Sequence, residues 1–116
     1  MGNIIDAIGN TPLVEITSFF DKPKVKLYAK LEGNNPGGSV KDRPALNMIR
    51  SAIERNQVKK GDKLIEATSG NTGIALAMIA AVYGLQLELV MPASSTRERV
   101  LTMEAFGAKV TLLESM

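Results

Sequence analysis

The sequence contains no cysteine, no histidine and no tryptophan, and aromatic residues make up only 4% of the chain. The lack of cysteine excludes disulfide bonds and thiol catalysis. The lack of histidine excludes imidazole acid–base catalysis and, with cysteine also missing, the usual zinc sites. So few aromatic side chains cannot build a platform on which nucleic-acid bases stack. Thiol, imidazole and zinc chemistry are therefore removed from the possible functions, and we expect no metal site.

Charge of one sign and long apolar runs are also scarce. The 14 basic and 12 acidic residues are interspersed and leave a net charge of only +2, so no nucleic-acid or membrane patch is predicted. The longest apolar run, Ile74–Tyr83, is far shorter than the roughly 20 residues that cross a bilayer. The first residues, Met1–Asp6, carry no signal-peptide pattern. We therefore expect a cytoplasmic protein with neither nucleic acid nor membrane as its partner.

The first half of the chain predicts two extended segments and one helix. Ile8–Val14 is typical of a turn that leads into a short strand, because Gly9 and Pro12 stop a helix. Val25–Leu31 alternates apolar and polar residues, which predicts a half-buried strand. A helix that ends near Asn56 follows, with apolar residues at helical spacing.

The second half predicts strands that alternate with helices and hence a parallel sheet. The predicted order is a strand at Lys63–Ala67, a helix at Asn71–Tyr83, a strand at Gln86–Val90, a helix capped by Ser95 and Glu98 that runs to Phe106, and a strand at Ala108–Leu113. The helix that ends at Tyr83 is apolar on every side, so we expect it to be buried on more than one face. The chain offers few other elements to cover it, which suggests that more protein packs against it.

The segment Asn35–Arg43 delivers one lysine to the start of the first helix. Gly37 and Gly38 admit backbone angles that a side chain would forbid. Ser39 suits the N-cap position, and Asp42 three residues later completes a predicted capping box. Lys41 would then lie at the positive end of the helix dipole, which favours a neutral amine able to attack a carbonyl group. Taken alone, the segment also fits a solvated lysine after a flexible turn.

A second motif, Ala67–Gly73, ends a strand and begins the apolar helix. Its hydroxyl, amide and backbone N–H groups would form a nest for a small anion at the carboxyl end of a strand. The motif is neither a Walker loop nor the GxGxxG pattern of dinucleotide sites. Ser69 or Thr72 could equally act as a simple helix cap.

Three segments together closely resemble the cysteine synthases. They are Ile8–Val14, Lys30–Arg43 and Glu66–Ala77, and they occur in family order and at family spacing. Cysteine synthases are pyridoxal phosphate enzymes of fold type II, the tryptophan synthase β superfamily, and the sequence Leu-Glu-Gly-Asn-Asn-Pro is more similar to the B isozyme. The resemblance implies an α/β fold, a three-layer αβα arrangement with a parallel sheet, of which this chain holds an incomplete part.

The resemblance also implies the site residues. Lys41 would form the Schiff base with the cofactor, pyridoxal 5′-phosphate, and Asn71 would hydrogen-bond the 3′-oxygen of the cofactor ring. The α-carboxylate of an amino-acid substrate would be held by the loop residues Thr68, Ser69, Gly70, Asn71 and Thr72. The implied reaction is β-replacement on O-acetyl-L-serine, with sulfide or another thiol donor, to give L-cysteine.

By the same resemblance, residues 1–38 belong to a large cofactor-binding domain and residues 39–116 to a smaller mobile one. The glycine- and threonine-rich phosphate loop of the family does not occur in this sequence, so we expect the chain alone to be inactive, and the full-length enzyme to be a homodimer. The alternatives within the superfamily are cystathionine β-synthase, an O-phosphoserine sulfhydrylase and a serine dehydratase. The alternative outside enzymes is a non-catalytic anion-binding α/β module.

Overall fold

The computed structural model describes residues 2–17, 22, 24–68 and 70–114. Two 3₁₀ helices, Ile4–Ala7 and Glu32–Asn34, accompany eight strands and α-helices. In chain order these are β1 (Leu13–Glu15), β2 (Tyr28–Lys30), α1 (Asp42–Glu54), β3 (Lys63–Ala67), α2 (Asn71–Tyr83), β4 (Gln86–Pro92), α3 (Arg97–Ala105) and β5 (Lys109–Leu113). Within these described ranges, no helix is long and apolar enough to cross a membrane.

Strands β3, β4 and β5 form a parallel sheet in that order, with β4 in the centre. Leu87, Leu89 and Met91 alternate along β4 and are buried in one core with residues of all three α-helices. Right-handed crossovers between strands in chain order place both connecting helices on the same face. The opposite face carries Ile65, which is 66% exposed. The α/β class with a parallel sheet is confirmed, and the described residues form two of the three predicted layers.

Helix α2 lies at the centre of the molecule. It contacts α1, α3, β4 and the first 3₁₀ helix, and its residues from Ala75 to Ala80 are all buried. The prediction of burial on more than one face is confirmed. The suggestion that this chain has too few elements to cover the helix is wrong for residues Ala75 to Ala80. The 3₁₀ helix at Ile4–Ala7 inserts Ile5 into the same core and helps to cover them. The sequence did not predict this 3₁₀ helix.

Strands β1 and β2 form a separate antiparallel ribbon. The strand predicted over Val25–Leu31 is regular only at Tyr28–Lys30. Its half-burial is also wrong, because Val25, Leu27 and Leu31 are all exposed. Alternation predicts the two faces of a strand, but burial needs a covering layer, and among the described residues none packs on this ribbon.

Both predicted capping boxes are wrong. Helix α1 begins at Asp42 with Lys41 at its N-cap, and α3 follows Thr96; neither helix has a side-chain cap. The Ser39 hydroxyl instead accepts a hydrogen bond from the amide of Lys41 at 3.2 Å, inside the preceding turn. Pro44 is the third residue of α1, so its missing N–H falls in the first turn, where no intrahelical bond is lost.

Candidate active site

Lys41 lies in a tight turn that runs from Asn35 into α1. The amide of Gly38, at φ +92°, donates to the carbonyl of Asn35 at 2.8 Å, and the amide of Asp42 donates to the carbonyl of Ser39 at 3.4 Å. The Lys41 side chain is exposed and, among the described residues, makes no hydrogen bond or salt bridge. The turn therefore holds the backbone of Lys41 while its amine stays available to a reactant.

Asp42 closes this turn from inside the protein. Its side chain is fully buried, and Oδ2 accepts a hydrogen bond from the amide of Gly37 at 2.6 Å. Its other oxygen, Oδ1, has no hydrogen-bond partner among the described residues and lies against the Cα of Gly37, where any Cβ would collide with it. Burial raises the pKa of Asp42, and the bond from Gly37 opposes this in part. The role predicted for Asp42 in a capping box is thus replaced by a buried clamp on Gly37.

A hydrogen-bonded cluster of four polar side chains and the backbone of one glycine surrounds the base of the turn. Glu32 Oε1 accepts hydrogen bonds from Arg43 Nε at 2.6 Å and from Asn35 Nδ2 at 3.1 Å. Its Oε2 accepts from Thr11 Oγ1 at 2.7 Å and from Arg43 Nη2 at 3.0 Å. The cluster is completed by Gly9, whose amide donates to Asn35 Oδ1 at 2.8 Å and whose carbonyl accepts from Arg43 Nη2 at 3.1 Å. We call these five residues the Glu32 cluster.

Hydrogen bonds from Arg43, Thr11 and Asn35 hold the pKa of Glu32 at about 2, so this carboxylate stays charged at neutral pH. Sequence reasoning missed the cluster. Glu32 and Arg43 are oppositely charged residues in the segment Lys30–Arg43. Their opposite charge was the only sequence signal for this cluster. Their spacing of 11 residues fits no helical pairing rule, so their contact could not be read from the sequence.

The loop after β3 begins at Thr68, whose amide donates to the carbonyl of Val90 on the neighbouring strand at 3.0 Å. Ser69, a predicted substrate-binding residue, lies outside the described residues. Two of the amides expected to be free are used inside the loop: Gly73 N–H donates to the Gly70 carbonyl at 3.0 Å, and Gly70 N–H donates to Thr68 Oγ1 at 3.5 Å.

The amides of Asn71 and Thr72 remain without an acceptor among the described residues, and the Asn71 side chain is exposed. These groups lie at the N-terminus of α2, the positive end of a 13-residue helix. Two amides are thus available for an anion here, while the substrate-binding roles of Thr68, Gly70, Asn71 and Thr72 all remain predictions.

Helix α3 supports this loop from the side. A Cβ on Gly73 would lie 2.9 Å from Met103 Cε and 2.6 Å from Thr68 Cγ2, and one on Gly70 would lie 3.4 Å from Arg99 Nη1. Arg99 and Met103 are one turn apart on α3, so they present one face to the loop. Gly73 therefore allows α3 to approach more closely than a side chain would permit, whereas a Cβ on Gly70 would make only an ordinary contact with Arg99.

The described residues fit pyridoxal phosphate, the cofactor implied by the resemblance. Lys41 offers an exposed primary amine beside two glycines, which leaves room for an aldehyde to approach. Asn71 offers an exposed side-chain amide that can bond an oxygen substituent. No hydrogen bond or salt bridge between described residues joins Lys41 to the loop at Thr68–Thr72, so the two parts of the candidate site are held by separate elements.

Comparison with known proteins agrees with this geometry. Residues 4–115 match the family model described as "Pyridoxal-phosphate dependent enzyme". Cysteine synthase B of Pseudomonas aeruginosa is 56% identical over 110 residues, which cover 95% of this chain and 37% of that protein. Cysteine synthase B of Escherichia coli is 52% identical over 113 residues, or 97% of this chain and 37% of that protein.

Among solved structures, this chain is similar to a hydrogen sulfide-producing enzyme from Fusobacterium nucleatum. It aligns with a TM-score of 0.90 and 49% sequence identity over 99% of this chain and 38% of its own. The chain thus spans little more than a third of the length of these relatives. Since the family model covers nearly every residue, from the first 3₁₀ helix to the end of β5, the chain belongs to the pyridoxal-phosphate-dependent enzymes.

Proposed function

We propose that this chain supplies the reactive lysine and the substrate-carboxylate loop of a cysteine synthase of the B type. The observation that carries the proposal is the exposed, unpaired Lys41 side chain on a turn clamped by Asp42 and the Glu32 cluster. The identity of 52–56% to two cysteine synthase B proteins supports the same assignment.

Each part of the site has a chemical role in a β-replacement. Bound pyridoxal phosphate supplies the electron sink for bond changes at the substrate's α- and β-carbons. The loop residues Thr68, Ser69, Gly70, Asn71 and Thr72 bind the substrate α-carboxylate, and the Asn71 side chain would also hydrogen-bond the cofactor ring. The Lys41 amine removes the α-proton, the leaving group departs from the β-carbon, a sulfur nucleophile adds there, and Lys41 returns the proton.

The substrate pair we propose is O-acetyl-L-serine and sulfide or another thiol. The similar Fusobacterium protein, a hydrogen sulfide-producing enzyme, suggests the second candidate: a related reaction on an amino acid that releases sulfide instead of consuming it. Both reactions need a lysine that moves the α-proton and a loop that binds the α-carboxylate. They differ in the groups that face the β-substituent.

The remaining proposals concern the assembled enzyme. Residues 1–38 belong to a large domain and residues 39–116 to a smaller mobile one; in support, the β1–β2 ribbon pairs with no strand of the parallel sheet among the described residues. The enzyme is a cytoplasmic homodimer. This chain alone is inactive, because the phosphate-binding loop of the family does not occur in its sequence.

The test is a hybrid enzyme in which this chain replaces the segment it matches in Escherichia coli cysteine synthase B. We expect the hybrid to form L-cysteine from O-acetyl-L-serine and sulfide, and the Lys41→Ala hybrid to form none. A folded hybrid that makes no cysteine, or one that releases sulfide from cysteine faster than it consumes it, would contradict the proposed function.

A further inference from the structure

The carboxylate of Glu32 connects three separate stretches of chain at the base of the turn that carries Lys41. These stretches are Gly9–Thr11, Glu32–Asn35 and the first turn of α1, where Arg43 lies two residues after Lys41. We propose that Glu32 is a positioning residue for Lys41, holding both ends of its turn in place. This inference rests on the proposed function, since it concerns the same lysine.

The first end of the turn is fixed through Asn35, which is 3% exposed. Its side-chain amide donates to Glu32 twice, to the backbone carbonyl at 2.9 Å and to Oε1 at 3.1 Å. Its side-chain oxygen accepts from Gly9, and its carbonyl accepts from Gly38. A shift of the Glu32 carboxylate would therefore be passed through Asn35 to the glycine turn.

The second end is fixed through Arg43. Its guanidinium bonds both oxygens of Glu32, at 2.6 and 3.0 Å, which sets the orientation of the guanidinium plane as well as its distance. Arg43 is the second residue of α1, so this bidentate pair also sets the position of the helix start. The exposed Lys41 side chain makes no hydrogen bond or salt bridge with any described residue, so the backbone between these two ends sets the position from which its amine reaches out.

The chain contains a matched comparison for this role. Glu88 on β4 also accepts a threonine hydroxyl at 2.7 Å, from Thr111, and pairs with a cation, Lys63, at 3.2 Å. Its partners lie on the parallel sheet and not on the turn of Lys41. Glu88→Gln therefore removes a similar charge and similar bonds without touching the proposed positioning.

The first measurement uses this chain and needs no cofactor. Amide hydrogen exchange, followed by NMR, reports on Gly9 and Gly38, whose N–H groups both donate to Asn35. In Glu32→Gln we expect both amides to exchange about tenfold faster relative to the amides of α2, because the turn opens locally. In Glu88→Gln we expect their exchange relative to α2 to be unchanged.

The second measurement uses the hybrid enzyme. Glu32→Gln should lower kcat about tenfold with KM for O-acetyl-L-serine changed by less than about twofold, since misplacing the amine affects the proton transfer and not the carboxylate loop. Glu88→Gln should leave both constants unchanged. An equal loss of kcat in Glu32→Gln and Glu88→Gln, or an unchanged kcat in Glu32→Gln, would overturn the inference.

One further variant and one control keep the result decisive. If Glu32→Gln does not fold, Thr11→Val is used instead, because it removes one hydrogen bond to Glu32 with little change of shape. A folded Thr11→Val hybrid with unchanged kcat and unchanged exchange of the Gly38 amide would overturn the inference. An inactive unsubstituted hybrid would contradict the proposed function instead, while the exchange measurement on this chain would still decide whether Glu32 holds the turn.

Discussion

At the scale of single residues, buried and bonded carboxylates decide how the lysine turn is built. Asp42 is fully buried with one oxygen unpartnered, whereas Glu32 receives hydrogen bonds on both oxygens. The two pKa values accordingly shift in opposite directions: burial raises that of Asp42, and the bonds from Arg43, Thr11 and Asn35 lower that of Glu32 to about 2. One acidic side chain, Asp42, thus restricts the space around Gly37, whereas the other, Glu32, is a charged group that joins Arg43, Thr11 and Asn35.

The close contact of Asp42 with Gly37 predicts the effect of adding one methyl group. Gly37→Ala would place a Cβ against Asp42 Oδ1, and the turn would have to shift. We expect a loss of about 1–3 kcal/mol in the free energy of unfolding, measured by urea denaturation. Gly33→Ala is the control, since its Cβ would meet nothing within 4 Å. Equal stability of the two variants would show that Asp42 does not restrict this turn.

The low pKa of Glu32 predicts a pH-dependent contribution to stability. Because the folded-state value of about 2 lies below the ordinary 4.5, the contribution is fully present above about pH 4.5 and is lost as the pH falls towards 2. The difference in unfolding free energy between the parent chain and Glu32→Gln should therefore shrink across this window. Denaturation curves at several pH values check it, and a difference that stays constant from pH 6 to about 2 would contradict the assigned pKa.

At the scale of elements, the ends of helices carry the chemistry and their packing faces carry the fold. Patterns of apolar residues predicted β3 and α2 with their observed bounds. Gly84 ends α2 in the left-handed conformation, at φ +70°, which is typical of a glycine that terminates a helix. The helix starts were predicted less well. Ser39 and Ser95 have the residue type of a cap, but α1 and α3 begin after Lys41 and Thr96, and neither helix has a side-chain cap.

The Thr72 hydroxyl lies beside the amides of Asn71 and Thr72, which have no acceptor among the described residues, and its position at the start of α2 predicts a selective kinetic effect. In the hybrid enzyme, Thr72→Ala should raise KM for the amino-acid substrate about threefold to tenfold and leave KM for sulfide unchanged, because the loop binds the carboxylate and not the sulfur donor. Thr102→Ala is the control, because its hydroxyl donates to the carbonyl of Glu98 within α3 at 2.8 Å and bonds no other described residue. If Thr72→Ala keeps the parent KM, the Thr72 hydroxyl does not bind the substrate carboxylate.

At the scale of the whole molecule, the sequence predicted most of the parallel sheet and the location of the candidate site, but not the contacts that hold it. The motifs at Asn35–Arg43 and Ala67–Gly73 lie where the pattern placed them, at a turn before one helix and at a strand end before another. The Glu32 cluster joins residues up to 34 positions apart, such as Gly9 and Arg43, and no local periodicity encodes such a contact. Likewise, exposure of the β1–β2 ribbon depends on what covers it and not on its own alternation.

The central claim is that Lys41 is the amine that bonds pyridoxal phosphate, and one experiment tests it most directly. The hybrid enzyme is reduced with borohydride in the presence of the cofactor, digested, and mapped by mass spectrometry, with Lys59→Ala, an exposed lysine in a different turn, as the control variant. We expect a single reduced adduct on Lys41 in the parent and in Lys59→Ala, and none in Lys41→Ala. A stoichiometric adduct on any other lysine, or a Lys41→Ala hybrid that still forms cysteine, would contradict the claim.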